Sequence, residues 1–244
     1  MKYTLLASGS KGNACLVESE NHKILIDCGT TKKYLTASLE SIDVTYEDID
    51  LLLITHDHSD HTKQIKTFKN HRVLSPTELD INHELINPYE EFSFGDFKII
   101  AVQTSHDAEL SFGYIFELGD KKLVYITDTG YIRRSDYPYI SNADYYVLES
   151  NHDPEMLMQT RRPYAIKRRI LSETGHLSND QAGSILAEVS GSKTKEVILA
   201  HLSEEANTHE LAKTTVEKYL NNTDIKVYVA KQHEIIFGGN YYEK

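Results

Sequence analysis

A chain of 244 residues with 40% hydrophobic content can bury a full core, and one compact unit over residues 1–244 is the expectation. A formal charge of −11 argues against a simple nucleic-acid-binding module, but it leaves room for an enzyme that meets phosphate through bound cations. Apolar runs are too short to span a bilayer, and Cys15 and Cys28 alone make no disulfide framework, so a cytoplasmic protein without membrane attachment is expected.

Short β-rich runs come first, at Tyr3–Ser8, Ala14–Ser19 and Lys23–Cys28, followed by a helix near Thr31–Ser41 and the strand Ile49–Thr55. A short helix is expected over His61–Phe68. Strands separated by Gly and Asp turns follow at His71–Ser75, Phe92–Ser105, Ser111–Leu118, Lys121–Thr127 and Asp144–Ser150. From there helices and strands alternate. Helices are expected over Glu155–Leu171, Asn179–Val189 and His209–Leu220, and strands over Glu196–His201, Ile225–Ala230 and Glu234–Gly239. Ser178 and Gln181 form a capping box that opens the second of these helices. Many strands with helices spread along the chain predict α/β layers, sheets covered by helices.

The strand ending at Thr55 runs into His56, His58, Asp60 and His61. Alternate residues leaving a strand point the same way, so His56 and His58 can aim at one point, with Asp60 and His61 a turn further on. Such crowding of imidazole and carboxylate gains little unless a cation joins them, and the absence of thiolate favours zinc or manganese, with iron also compatible. Two cations need more donors than this cluster holds. His106, Asp128, His152 and His201 each follow a predicted strand, and His176 precedes the capping box, so several strand ends discharge into one cleft.

With its HxHxDH motif and these strand-end donors, the sequence resembles the metallo-β-lactamase-fold hydrolase superfamily over nearly its whole length. Within it, "TSHDA", "LVYITDTG", "LESNHDPEML", "GHLSN" and "LAHLSEEANT" closely resemble the YycJ/WalJ group of bacterial proteins, described as DNA-directed exonucleases. The resemblance implies a four-layer αββα sandwich holding two divalent transition-metal ions. His56, His58 and His106 would bind one ion, Asp60, His61 and His201 the other, and Asp128 would bridge them. It further implies Asp60 and His176 as catalytic residues and Asp27 as a support for the histidine loop. Asn13 would hold that loop or touch substrate, and His152 joins it as a candidate substrate contact. A water shared by the two ions would lose its proton near neutral pH, since one zinc already brings the pKa to about 7.

The segment "MQTRRPYAIKRRIL" sets Arg161, Arg162, Lys167, Arg168 and Arg169 just ahead of His176 in an otherwise acidic chain, which suits a polyanionic substrate. Together with the resemblance, which implies a 5′–3′ exonuclease, this makes DNA the leading substrate expectation, with Tyr131, Tyr137 and Tyr139 as candidate stacking surfaces. A cyclic phosphodiester or a tRNA end is the alternative substrate. A metal-binding regulatory protein without turnover is the alternative from another class.

Overall fold

The computed structural model describes residues 1–220 and 224–240. Two seven-stranded mixed sheets form its framework. The first contains β1 (Lys2–Ala7), β2 (Ala14–Glu18), β3 (Lys23–Ile26), β4 (Leu51–Leu53), β5 (Arg72–Ser75) and β6 (Glu84–Leu85). The second contains β7 (Glu91–Phe94), β8 (Phe97–Gln103), β9 (Phe112–Leu118), β10 (Lys121–Ile126), β11 (Tyr145–Glu149), β12 (Glu196–Ala200) and β13 (Lys226–Val229), and β14 (Ile236–Gly239) returns to the outer side of β1. Along each sheet three antiparallel pairings give way to three parallel ones, at β3–β4 in the first and β10–β11 in the second.

Strand periodicity explains the layers. In β3, β4, β10, β11 and β12 nearly every residue is apolar and buried, and alternate side chains point to opposite faces. Ile24, Ile26, Leu51 and Leu53 meet Leu123, Tyr125, Val147 and Ile198 in the core between the sheets. Leu25 and Leu52 turn outward to Leu35 and Leu39 of α1 (Lys32–Glu40), while Val124, Tyr146 and Val197 turn outward to residues such as Leu186 and Val216. Each fully buried Leu, Ile or Val contributes about 1.5–3 kcal/mol. The result is the expected αββα sandwich.

The helices that follow β4 as far as residue 170 are short. After β4 come α2 (Ser59–Thr62) and a 3₁₀ turn over Ile65–Phe68, where one helix was expected; α3 (Tyr137–Ile140) precedes β11. The expected helix over Glu155–Leu171 is instead two: α4 (Pro154–Gln159) and α5 (Tyr164–Ile170). Thr160 turns extended at ψ 161°, and Pro163, lacking a backbone N–H and with ψ 144°, restarts the chain as the residue preceding α5. Both α6 (Asn179–Val189) and α7 (His209–Tyr219) match expectation. The capping box opens α6 as predicted: Gln181 N donates to Ser178 Oγ, and Ser178 N donates to Gln181 Oε1.

Candidate metal centre

Parallel strands deliver their carboxyl ends to one rim of the sandwich, where α/β proteins place their ligands. Asp27 follows β3, Asp128 lies two residues beyond β10, and His201 follows β12; all three adopt left-handed backbone, at φ 59°, 53° and 55°. Non-glycine residues hold that conformation only when their surroundings over-determine it. The site is therefore locally strained at three of its corners.

His56, His58 and His106 form one donor group, with ring centroids 4.6 to 5.1 Å apart. Asp60, His61 and His201 form another. Asp128 reaches both: its Oδ1 lies 3.1 Å from His201 Nδ1 and 3.9 Å from His106 Nε2, and its Oδ2 lies 3.3 Å from His61 Nε2. His56 Nε2 and His201 Nε2 are buried with no hydrogen-bond partner, an arrangement native proteins rarely keep unless something else satisfies the atom. Nitrogen and oxygen donors so arranged fit divalent cations of the zinc or manganese type.

A buried scaffold sets the ring orientations. Asp27 Oδ2 is 2.7 Å from His61 Nδ1, which makes Nδ1 the donor and turns Nε2 to the cluster; Asp27 also accepts from Thr55 N at 2.8 Å and Thr55 Oγ1 at 2.9 Å. Gly29 lets this strand-end loop lie directly on the histidine loop: a Cβ there would sit 1.6 Å from Asp60 O. Asn13, fully buried, clasps the β1–β2 turn by exchanging hydrogen bonds with Gly9, and its Nδ2 lies 3.0 Å from His61 Nε2, a contact that a cation on that nitrogen would replace. Asn13 thus braces the loop and offers no surface to a substrate.

Glu149, the last residue of β11, was missed by sequence reasoning. Fully buried, it sets Oε1 at 2.7 Å from His176 Nδ1 and 3.0 Å from His201 Nδ1, while Oε2 accepts from Thr129 N. It repeats the pattern of an apolar strand ending in an acid that marked Asp128. His176 lies between, its ring centroid 5.2 Å from His106 and 5.3 Å from His201.

Electrostatics follow from this packing. Burial favours the neutral acid of Glu149, but the His176 and His201 imidazoles outweigh it and hold its pKa at about 2. Burial opposes the cation of His201, yet Asp128 and Glu149 raise its pKa to about 9. Burial opposes the charged form of His61 as well, and Asp27 with Asp128 drives its pKa well above the usual range. His56 goes the other way, well below its usual value, through burial and the neighbouring His61. Any incoming cation therefore exchanges with protons on some ligands and not on others.

The candidate substrate residues divide sharply. His152 is 1% exposed, burial lowers its pKa to about 4, and neither ring nitrogen has a hydrogen-bond partner. Lys167 is turned inward, its Nζ donating to Met158 O at 2.6 Å. Arg162 pairs with Glu205 at 2.9 Å, and Arg169 pairs with Asp107, itself 3.2 Å from His106 Nε2. Arg161 and Arg168 are exposed and, among the described residues, carry no ion pair. Tyr131 and Tyr139 are exposed, at 43% and 40%. Both cysteines are buried and unpaired, and no helix among the described residues is long and apolar enough to cross a membrane.

A twin-sheet sandwich with a histidine and carboxylate cluster at its strand ends defines a metallo-hydrolase class, and the chain belongs to it: the β-lactamase superfamily domain matches residues 22–202. Among its relatives, the exodeoxyribonuclease WalJ of Streptococcus pneumoniae (strain D39) is 36% identical, the match covering 93% of this chain and 91% of that protein. The exodeoxyribonuclease YycJ of Bacillus anthracis is also 36% identical, over 90% of this chain and 89% of that protein. The metallo-β-lactamase fold protein YhfI of Bacillus subtilis superposes with a TM-score of 0.74 at 19% identity, covering 98% of this chain and all of that one.

Proposed function

We propose that this protein is a dinuclear metal-dependent phosphodiesterase that degrades DNA from an end. The observation carrying the reading is that two donor groups from separate loops, His56/His58/His106 and Asp60/His61/His201, share one buried carboxylate, Asp128, that reaches both. Full-length similarity to two exodeoxyribonucleases directs the choice of substrate.

His56, His58 and His106 would hold one ion and Asp60, His61 and His201 the other, with Asp128 within reach of both groups; zinc and manganese both suit the donors. Bound there, two divalent cations supply a nucleophile at neutral pH and neutralise charge gathering on phosphate oxygens. The chain's own residues do the rest. Asp27 and Thr55 keep His61 and His56 in register. Glu149 accepts from His176 Nδ1, and in the imidazolium form, which that carboxylate faces, the second proton on Nε2 would contact a nonbridging oxygen or pass to the departing one. Asp60, on the helix α2, is a ligand and a second group beside the reacting phosphate.

Labelled DNA, RNA and cyclic nucleotides assayed with added manganese or zinc test the proposal. The expected result is release of nucleotides from DNA ends, abolished by chelator and by His58→Ala or Asp128→Ala. DNA left intact while a cyclic nucleotide is opened would reject the nuclease reading, and activity indifferent to chelator would reject the metals.

A further inference from the structure

We infer that α5 is a landing platform for single-stranded DNA, with Tyr164 stacking on a base while Arg161 and Arg168 hold the flanking phosphates. The inference rests on the nuclease reading and adds which form of the polymer enters and over which surface.

Three observations carry it. First, α5 has two distinct faces. Lys167 and Ile170 are buried, Ile170 against Leu157 and Ala206, whereas Tyr164 is 66% exposed and Arg168 stands four residues along the same face. Residues so spaced lie about 5–6 Å apart at Cβ, a separation that sets a guanidinium beside an aromatic ring as a base sits beside its phosphate. Second, charge is selective here. In a chain with formal charge −11, Arg162 and Arg169 are consumed by Glu205 and Asp107 and Lys167 by a carbonyl, yet Arg161 and Arg168 remain exposed and unpaired among the described residues. Third, α5 is locked to the metal centre. His176 N donates to Ile170 O at 3.0 Å, a Cβ on Gly175 would lie 2.2 Å from that same oxygen, and Arg169 reaches Asp107 beside His106. The end of α5 is therefore held in a fixed position against His176 and His106.

An exposed ring can stack on a base only if that base has left the duplex, so the platform selects single strands or frayed ends.

The test uses metal-loaded protein, a phosphorothioate-protected oligo-dT for binding by fluorescence anisotropy, and bis-p-nitrophenyl phosphate as the small ester that normalises turnover. Arg161→Ala with Arg168→Ala should weaken oligo-dT binding about tenfold and lower the salt slope by about 0.7 per arginine. Tyr164→Ala should weaken it about fivefold or more, with Tyr164→Phe restoring it. In each defective variant the ratio of single-strand to small-ester turnover should fall, and fall less for a blunt duplex. Wild-type oligo-dT affinity in the arginine variant would overturn the inference, as would a Tyr164→Ala change that alters the sedimentation of the protein and not its DNA binding, which would mark a contact between copies. If unaltered protein cleaves the ester but neither binds nor degrades DNA, the nuclease reading fails first. DNA degraded at full rate by every variant sinks the platform alone.

Discussion

At the scale of residues, the site is held by carboxylates that touch no substrate. Asp27 fixes His61 through one oxygen and Thr55 through both. Replacing it with asparagine keeps the volume but loses the charge that turns His61 Nε2 toward the cluster, so metal affinity should fall about 10- to 100-fold. Titration of metal-free protein with zinc or manganese measures it; unchanged affinity would mean Asp27 serves the turn alone. Glu149 stands in the same relation to His176. Glu149→Gln should lower turnover of bis-p-nitrophenyl phosphate about 10²- to 10⁴-fold, with little added loss when His176→Ala is combined with it. Full additivity in that double variant would separate the two residues. Asp27 could be proposed as a support from the sequence, through resemblance to a known pattern. Glu149 could not be singled out, because a strand-final acid looks the same whether it faces solvent or a buried pair of imidazoles. Only the pairing of β11 between β10 and β12 decides that.

At the scale of elements, strands were legible because alternate apolar residues must reach two different cores, and α6 because its capping box is a local signal. The basic segment reads as part of one continuous helix, but Pro163 divides it, and Lys167 turns inward to Met158 O. Loop contacts were invisible for a different reason. Nothing local in Gly29 announces that Asp60 O will lie where its side chain would be. Gly29→Ala should therefore push the strand-end loop off the histidine loop and lower both thermal stability and the metal retained after gel filtration. Retention of two equivalents per chain would show that the loop yields without disturbing the ligands.

At the scale of the molecule, the two sheets are joined by contacts that differ in kind. Tyr3 of β1 donates to Glu196 of β12 within the core, and Gly239 N donates to the same oxygen at 2.9 Å. Tyr3→Phe leaves that buried carboxylate short of a partner, and a loss of about 1–3 kcal/mol in urea denaturation is expected. At the rim, bound cations would do the joining. His56, His58, Asp60 and His61 leave the first sheet, while His106, Asp128, Glu149 and His201 leave the second. Metal at a hundredfold excess over its dissociation constant should stabilise the folded chain by about 2.7 kcal/mol, visible as a higher melting temperature that chelator reverses. β14, made from the last described residues, lies against β1, made from the first. The histidine motif thus precedes Asp128, Glu149 and His201 in the chain, and the first sheet gains its outer strand from residues that follow every one of these donors. A fragment ending before Asp128 would carry the motif without the carboxylate that reaches both donor groups.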